Sequence, residues 1–417
     1  MSEQALARGE VEDERLWTNR ALWACSALHT VNDAFFAVIF PLLPLLAADL
    51  QLSYAEVGLI KTAFSGASSA FQLPVGLLAE RWGEYALLVG GNAWVALGLI
   101  SMGLAGAYLP LLGLTVLGGL GGNTQHPLAA ALVSRRAPIA RRATAVGTLN
   151  FAGDLGKMVG PPLVALVAIP FGWRAALIAL GVFGILFSLA IARLPVGDAR
   201  PEPPVPLPPD PGQLPELPET VRTGDSSSAV RRWGIEQPLR YALLATLGVV
   251  DNGTRGAALA FLPFVLAGKG LDPAAVSWLF AIVFVGGAFG KFGCGRLGDR
   301  FGATALIVTT ELVTVGALAL FPAAPVLVVP LLAACFGFVL NGTSSVLYAT
   351  VADLVPENRR SRGYGLYYTL VNGSSALAPV LYGLLGDLSG LTTVFVTMAA
   401  VNAVTVPLAV ALRKKGR

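Results

Sequence analysis

Residues 76–83 read GLLAERWG, and 219 positions later residues 295–302 read GRLGDRFG. Each octet runs from a glycine (Gly76, Gly295) through an acid–arginine pair (Glu80 and Arg81, Asp299 and Arg300) to a second glycine (Gly83, Gly302). Each also closes a long apolar run. Outward from the octets the register persists at 218 residues: Asp33 pairs with Asp251, Asn123 with Asn341, Pro138 with Pro356, Arg142 with Arg360 and Pro161 with Pro379. Chance likeness between apolar stretches does not hold one offset over such a distance. Two related units with a polar site between them is the arrangement a parallel repeat implies.

Composition says what surrounds these units. Of 417 residues 55% are hydrophobic and 13% charged, with mean hydropathy +0.68. A soluble domain carries about 25% charged residues, so this surface faces lipid. A bilayer core takes roughly 20 apolar residues per helix. Runs of that kind predict spans at 20–48, 54–79, 85–105, 109–134, 143–168 and 173–194, then 239–267, 273–297, 303–322, 325–353, 361–386 and 391–412. The expected fold is an all-α integral membrane protein whose twelve transmembrane helices form two pseudo-symmetric six-helix bundles, 20–194 and 239–412. Between them residues 195–238 include PVGDARPEPPVPLPPDPGQLPELPE, too proline-rich for a packed helix and too polar to bury. It reads as an extended linker, or as a docking site for a proline-binding partner.

Arginine and lysine set the expected orientation. Arg81, the group Arg135, Arg136, Arg141 and Arg142, then Arg222, Arg231 and Arg232 fall in alternate loops. So do Arg296 and Arg300, Arg359, Arg360 and Arg362, and the closing Arg413, Lys414, Lys415 and Arg417, while Arg174 and Lys269 are the clear exceptions. Positive residues stay inside. The tail 1–19, the linker and the basic tail 413–417 are therefore expected in the cytoplasm of a bacterial inner (plasma) membrane, and the acidic start of the chain does not resemble a cleavable signal peptide.

The octets resemble the loop signature G-x-L-x-D-R-x-G of the major facilitator superfamily, with Glu80 replacing the usual Asp in the first copy and Asp299 keeping it in the second. As surface ion pairs the acid–arginine pairs contribute under about 1 kcal/mol each; recurring at the repeat offset, they read as gating elements. The fifth span carries Gly147, Gly156, Gly160 and Pro161 in the spacing G-x8-G-x3-G-P, with Val164 where a further Gly is common. That pattern resembles proton-coupled antiporters of the superfamily; it also suits plain close packing of helices. A nearer resemblance is to the fosmidomycin-resistance branch of drug exporters, through His29, Asn32 and Asp33, through His126-Pro127, and through Gly160-Pro161. The chain departs from that branch in carrying Asp154 and Lys157 where small or amide side chains are expected.

Ionisable groups inside apolar spans are costly, and each is a functional candidate. Asp251 and Arg255, four apart, and Asp154 and Lys157, three apart, are spaced to pair along their own helices. Asp33 has no cation in its helix and is the first choice for a proton carrier. Glu311 is expected at the periphery, paired locally. The resemblance implies a central cavity lined by Asp33, Asn123, His126, Asp251, Arg255 and Asn341, with Lys157 nearby. Lys157 and Arg255 are free in that scheme to hold an anion; both acid–base pairs also suit a structural role, and His126 suits capping of backbone at a kink. Phe35, Phe36, Tyr364, Tyr367 and Tyr368 admit an aromatic or apolar ligand.

The function these readings favour is a secondary transporter working by alternating access, a proton-coupled antiporter exporting a small organic compound, anionic or amphiphilic. Proton-coupled uptake or facilitated passage of an organic anion, and a non-transporting membrane sensor, are the alternatives. No G-x-x-x-x-G-K-[ST] motif points to ATP. Cys25, Cys294 and Cys335 lack metal-ligand spacing, and two histidines inside spans make no hydrolytic centre. Neither an enzyme nor a metal or cofactor is expected; the proton gradient is the driving force. Expected partners are substrate, protons and lipid, not nucleic acid, around a monomer.

Overall fold

The computed structural model describes residues 16–122, 124–196, 235, 237–355 and 360–412. The tail 1–15, Asn123, most of the linker and the tail 413–417 lie outside the described residues. In order, the helices are α1 Arg20–Ala37, α2 Ile39–Leu50, α3 Tyr54–Trp82, α4 Glu84–Gly103, α5 Tyr108–Gly119, α6 Gln125–Arg136 and α7 Arg142–Ala192. The second half follows with α8 Pro238–Gly268, α9 Pro273–Phe301, α10 Ala303–Leu320, α11 Val329–Leu354, α12 Arg360–Ala403 and α13 Thr405–Ala411. Helix is the expected answer for apolar chain in lipid, because it satisfies every backbone donor internally.

The departures from the expected spans have local causes. The first span divides at Val38, where Pro41 withholds the N–H that would have bonded the Ala37 carbonyl. The fourth divides between α5 and α6 at a glycine-rich stretch, Gly118 to Gly122. Conversely, the fifth and sixth spans run together as the 51-residue α7, and the eleventh and twelfth as the 44-residue α12. A straight 51-residue helix is about 76 Å long, more than twice the ~30 Å of a bilayer core. Each helix instead breaks at one glycine, Gly172 (φ 83°, ψ 166°) and Gly390 (φ 79°, ψ 163°). Only glycine adopts that conformation readily. The chain reverses there: Arg174 pairs with Asp49 at one end of the molecule, while Ile191 reaches Tyr85 at the other.

Seven helices among the described residues are long and apolar enough to cross a membrane: Arg20–Leu50, Glu84–Gly103, Thr144–Ala192, Pro273–Gly298, Ala303–Leu320, Val326–Tyr348 and Gly363–Ala411. This is fewer than the expected twelve. Two of the seven, Thr144–Ala192 and Gly363–Ala411, each run over two expected spans; α3 holds Glu56, Lys61 and Arg81, α8 holds Arg240, Asp251 and Arg255, and the fourth span is split. Apolar side chains cover the outside, with Leu104, Leu166, Phe171, Leu239 and Leu388 all largely exposed. That is the surface of a protein solvated by lipid. The protein is an all-α, multi-pass membrane protein.

The repeat extends to backbone geometry. Ser53 and Asp272 cap α3 and α9 with identical angles (φ −71°, ψ 165°), and Gly83 and Gly302 end those helices at φ 83° and 84°. Between the halves α3 packs on α12, and α7 on α9, the symmetry-matched pair. At the end away from the termini these contacts are tight. Phe40 of α2 stacks on Phe280 of α9 at 5.8 Å, and Tyr54 meets Phe261 and Phe264 of α8 at 6.2 and 5.5 Å. The Asp387 carboxylate of α12 accepts the N–H groups of Tyr54 (2.7 Å) and Ala55 (3.0 Å) in the first turn of α3.

Candidate functional site

The site begins with the glycines of α7. A Cβ on Gly156 would strike the Thr30 carbonyl, and one on Gly160 would lie 3.1 Å from the Ala34 carbonyl. On Gly153 it would meet Asp33 Oδ2 at 2.7 Å and His29 Nε2 at 2.8 Å. Thr30 Oγ1 donates to the Ala152 carbonyl at 2.8 Å. Small residues thus let α1 lie against α7. Gly147, of the same sequence pattern, has nothing within 4 Å of its missing side chain.

That close approach joins two expected residues that sequence spacing had separated. Lys157 Nζ lies 2.8 Å from Asp33 Oδ2. Asp33, read as lacking a cation in its own helix, takes one from the neighbouring helix. His29 Nε2 stands 3.5 Å and His126 Nε2 4.0 Å from the same carboxylate, and the two rings meet edge-on at 4.8 Å. Asp33 and His29 are buried, whereas the side chains of His126 (45% exposed) and Lys157 (29%) are partly exposed. Asn32 is buried too, its Nδ2 without a hydrogen-bond partner among the described residues.

Asp154 lies one turn before Lys157 and 3.5 Å from it. Its stronger partner is Lys291 of α9, whose Nζ reaches Oδ1 at 2.7 Å and Oδ2 at 2.6 Å. Lys291 was not among the sequence candidates, although the rule that selected Asp154, a charge inside an apolar span, applies to it equally. Lys61 of α3 was missed in the same way; it is buried, donating to Ser65 and lying 5.0 Å from the Phe40 ring centre.

The second-half site differs from the expectation. Arg255 does not close a salt bridge on Asp251; its guanidinium donates to the Leu340 carbonyl (2.9 Å), to Ser344 Oγ (2.7 Å) and to Asn252 Oδ1. The first two acceptors belong to α11 and draw it there, while Asn252 lies on α8 beside it. Asp251 is buried, and Asn341 is half-buried where α11 passes Gly287 of α9. Glu311, expected at the periphery, is fully buried and accepts from Asn402 (2.6 Å) and Thr405 (3.0 Å). Phe35 and Tyr367 belong to the core, at 1% exposure each, and present no surface to a ligand. Arg81, Arg300, Gly83 and Gly302 stand at the ends of α3 and α9, and Gly76 and Gly295 lie within those helices; the side chains of Glu80 and Asp299, like Asn123, are outside the described residues.

Chemically the cluster holds two carboxylates, two ammonium groups and two imidazoles. Ligand atoms of His29, Asp33 and His126 lie within 4.8 Å of one another, a spacing compatible with a metal ion. The Lys157 ammonium 2.8 Å from that carboxylate already supplies a fixed positive charge there, which disfavours a metal and suits proton exchange. An apolar cleft of about 330 Å³ between α7 and α9, lined by Met158, Pro162, Leu166 and Trp278 among others, contains no ionisable group and stands apart from this chemistry.

Comparison with known proteins agrees with this architecture. The family model described as Major Facilitator Superfamily matches residues 25–249 and 243–417. The Fosmidomycin resistance protein of Escherichia coli is 26% identical over 385 residues, covering 90% of this chain and 88% of the relative. The Hexuronate transporter of Bacillus subtilis is 24% identical over 373 residues, covering 83% of each. Among solved structures, a bacterial homolog of the human lysosomal transporter Spinster, in an inward-facing and occupied conformation, superposes with a TM-score of 0.76 at 15% identity, over 94% of this chain and 96% of that one. The helix order, the repeated backbone geometry and the match along nearly all its length place the chain in the Major Facilitator Superfamily, whose members are membrane carriers and not enzymes.

Proposed function

We propose that the chain is a proton-coupled carrier that exports a small organic anion by alternating access, in the fosmidomycin-resistance-like branch and in a bacterial inner membrane with both termini cytoplasmic. It is monomeric in this reading and crosses the membrane twelve times in two six-helix bundles. The seven apolar spans supply most crossings, the reversals at Gly172 and Gly390 divide two of them, and α3, α5 with α6, and α8 supply the rest. The observation that carries the proposal is the cluster of Asp33, Lys157, Asp154 and Lys291. Acids and cations meet among the spanning helices, both lysines keeping part of their surface exposed, while aromatic contacts close the end away from the termini. A proton arriving on Asp33 neutralises the charge that holds Lys157 and frees that lysine for the substrate. In this reading His29 and His126, 3.5 and 4.0 Å from the Asp33 carboxylate, pass the proton. The acid–arginine pairs at the ends of α3 and α9 are the gates.

Energetics support exchange. An anion leaving and a proton entering each move one charge down an inside-negative potential, about 2.3 kcal/mol per charge per 100 mV. In proteoliposomes, an imposed inside-negative potassium diffusion potential therefore accelerates export of the anion. Asp33→Asn abolishes proton-driven transport and retains substrate counterflow. Unchanged proton movement in that variant counts against Asp33 as the carrier.

A second reading, uptake of the anion together with a proton, has its own support. The cluster balances two carboxylates with two lysines, so an added anion leaves a deficit that one proton fills. The Hexuronate transporter among the relatives is named for a sugar acid. One-to-one symport of a monoanion moves no net charge. Transport that responds to a pH gradient and ignores the imposed potential selects this reading over export.

A further inference from the structure

Asp154 has its side chain only 7% exposed, yet it sits where the halves of the chain meet. Lys291, from the second half, holds both its oxygens at 2.7 and 2.6 Å, and Lys157 adds a contact at 3.5 Å. Among the described residues this is the one salt bridge between the halves. Both lysines keep an exposed flank, 37% for Lys291 and 29% for Lys157. A carboxylate gripped by two partly exposed ammonium groups occupies the place that an incoming carboxylate or sulfonate would take.

We propose that Lys291 and Lys157 form the subsite for the anionic group of the transported molecule, and that Asp154 is its built-in occupant, displaced when substrate binds. The proposal rests on the anion-carrier reading above and adds the docking point of the charge. It also makes Lys291 a specificity-determining residue. Substrate and Asp154 compete for the same donors, so binding breaks the tie from α9 to α7 at the moment the site fills. A monoanionic head group with two or three oxygens fits, because each lysine needs an acceptor of its own. A neutral analogue has nothing to offer in exchange for the Asp154 contacts and leaves them intact.

The test uses the sign of two substitutions in one ion pair. Full-length protein in nanodiscs is titrated with sodium glucuronate and sodium methanesulfonate, with glucose as the uncharged control, and binding is read by tryptophan fluorescence. Lys291→Gln loses anion affinity by about tenfold or more, the usual scale for a charge-assisted contact. Asp154→Asn gains affinity by a similar factor, because the competitor is gone, and Lys291→Arg retains binding. Thermal unfolding without anion reports whether each variant is folded, and the double variant Asp154→Asn/Lys291→Gln removes the charges as a pair should a single one misfold; it binds more weakly than Asp154→Asn. If the pair is only a brace, both single substitutions move affinity in the same direction or not at all, and the subsite is wrong while the carrier reading stands. If neither anion binds any folded form, the anion reading falls with it.

Discussion

Asp33 and Lys157 show how a membrane protein keeps charge among apolar helices. Neither is isolated: the 2.8 Å contact neutralises both, and Asp154 shares the lysine. Breaking a buried pair by removing one member costs about 3–5 kcal/mol, since the other is left uncompensated. Lys157→Met leaves Asp33 bare in this way and is expected to lower the thermal unfolding temperature markedly in detergent. Asp33→Asn/Lys157→Met, with both charges gone, is expected to recover much of the loss. A double variant no more stable than Lys157→Met counts against the pair. At this scale the sequence exposed the participants better than the partnerships. Asp33, His29, His126, Asp154 and Lys157 stand out as ionisable groups in apolar runs, but partner choice depends on contact between α1 and α7. Spacing along one helix suggested Asp251 with Arg255, whereas the guanidinium goes to α11.

At the scale of helices, glycine decides which surfaces meet. Gly153, Gly156 and Gly160 form the strip of α7 on which α1 rests, while Gly147 looks into open space. Gly156→Ala should therefore be disruptive, at about 1–3 kcal/mol for overpacking, and should weaken proton-driven transport by separating Asp33 from Lys157. Gly147→Ala should be tolerated, and slightly stabilising by up to about 1 kcal/mol from helix propensity. Parallel unfolding and transport assays compare the two; equal effects would contradict the packing difference. Much of the helix pattern was legible, because apolar run length and proline position act locally. The breaks were less so. That Gly172 and Gly390 reverse the chain with no intervening loop depends on a single backbone conformation, and the split between α5 and α6 on how Gly121 and Gly122 fit against Trp94 and Phe36.

For the whole molecule, the contact of Asp387 with α3 joins the halves at the end away from the termini. The N-terminus of a helix carries unsatisfied N–H groups and partial positive charge. Here Ser53 and Glu56 satisfy some of the turn from within, and Asp387 satisfies Tyr54 and Ala55 from the other half. Asp387→Ala is expected to shift the population about tenfold towards the form open at this end, the scale of losing one charge-assisted contact. Spin labels at Gln51→Cys and Leu327→Cys, both exposed there, should report a longer distance in that variant and an intermediate population for Asp387→Asn. Distances identical to those of the parent would sink the latch. The 218-residue register made the duplicated plan readable from residue types alone, since related units keep their key positions. Which ends touch is a property of one conformation and has no counterpart in composition.

The one-residue reversals carry a practical consequence for mapping sidedness. Where Gly172 and Gly390 turn the chain, no slack exists to accept a reporter tag, and an epitope inserted at either point would push the adjoining helices apart before it reported which compartment it faced. The short stretches at 104–107 and 269–272 lie between helices instead, with open space around Gly106 and Gly270, and a foreign peptide inserted at either glycine is expected to be displayed at that face while the carrier stays assembled.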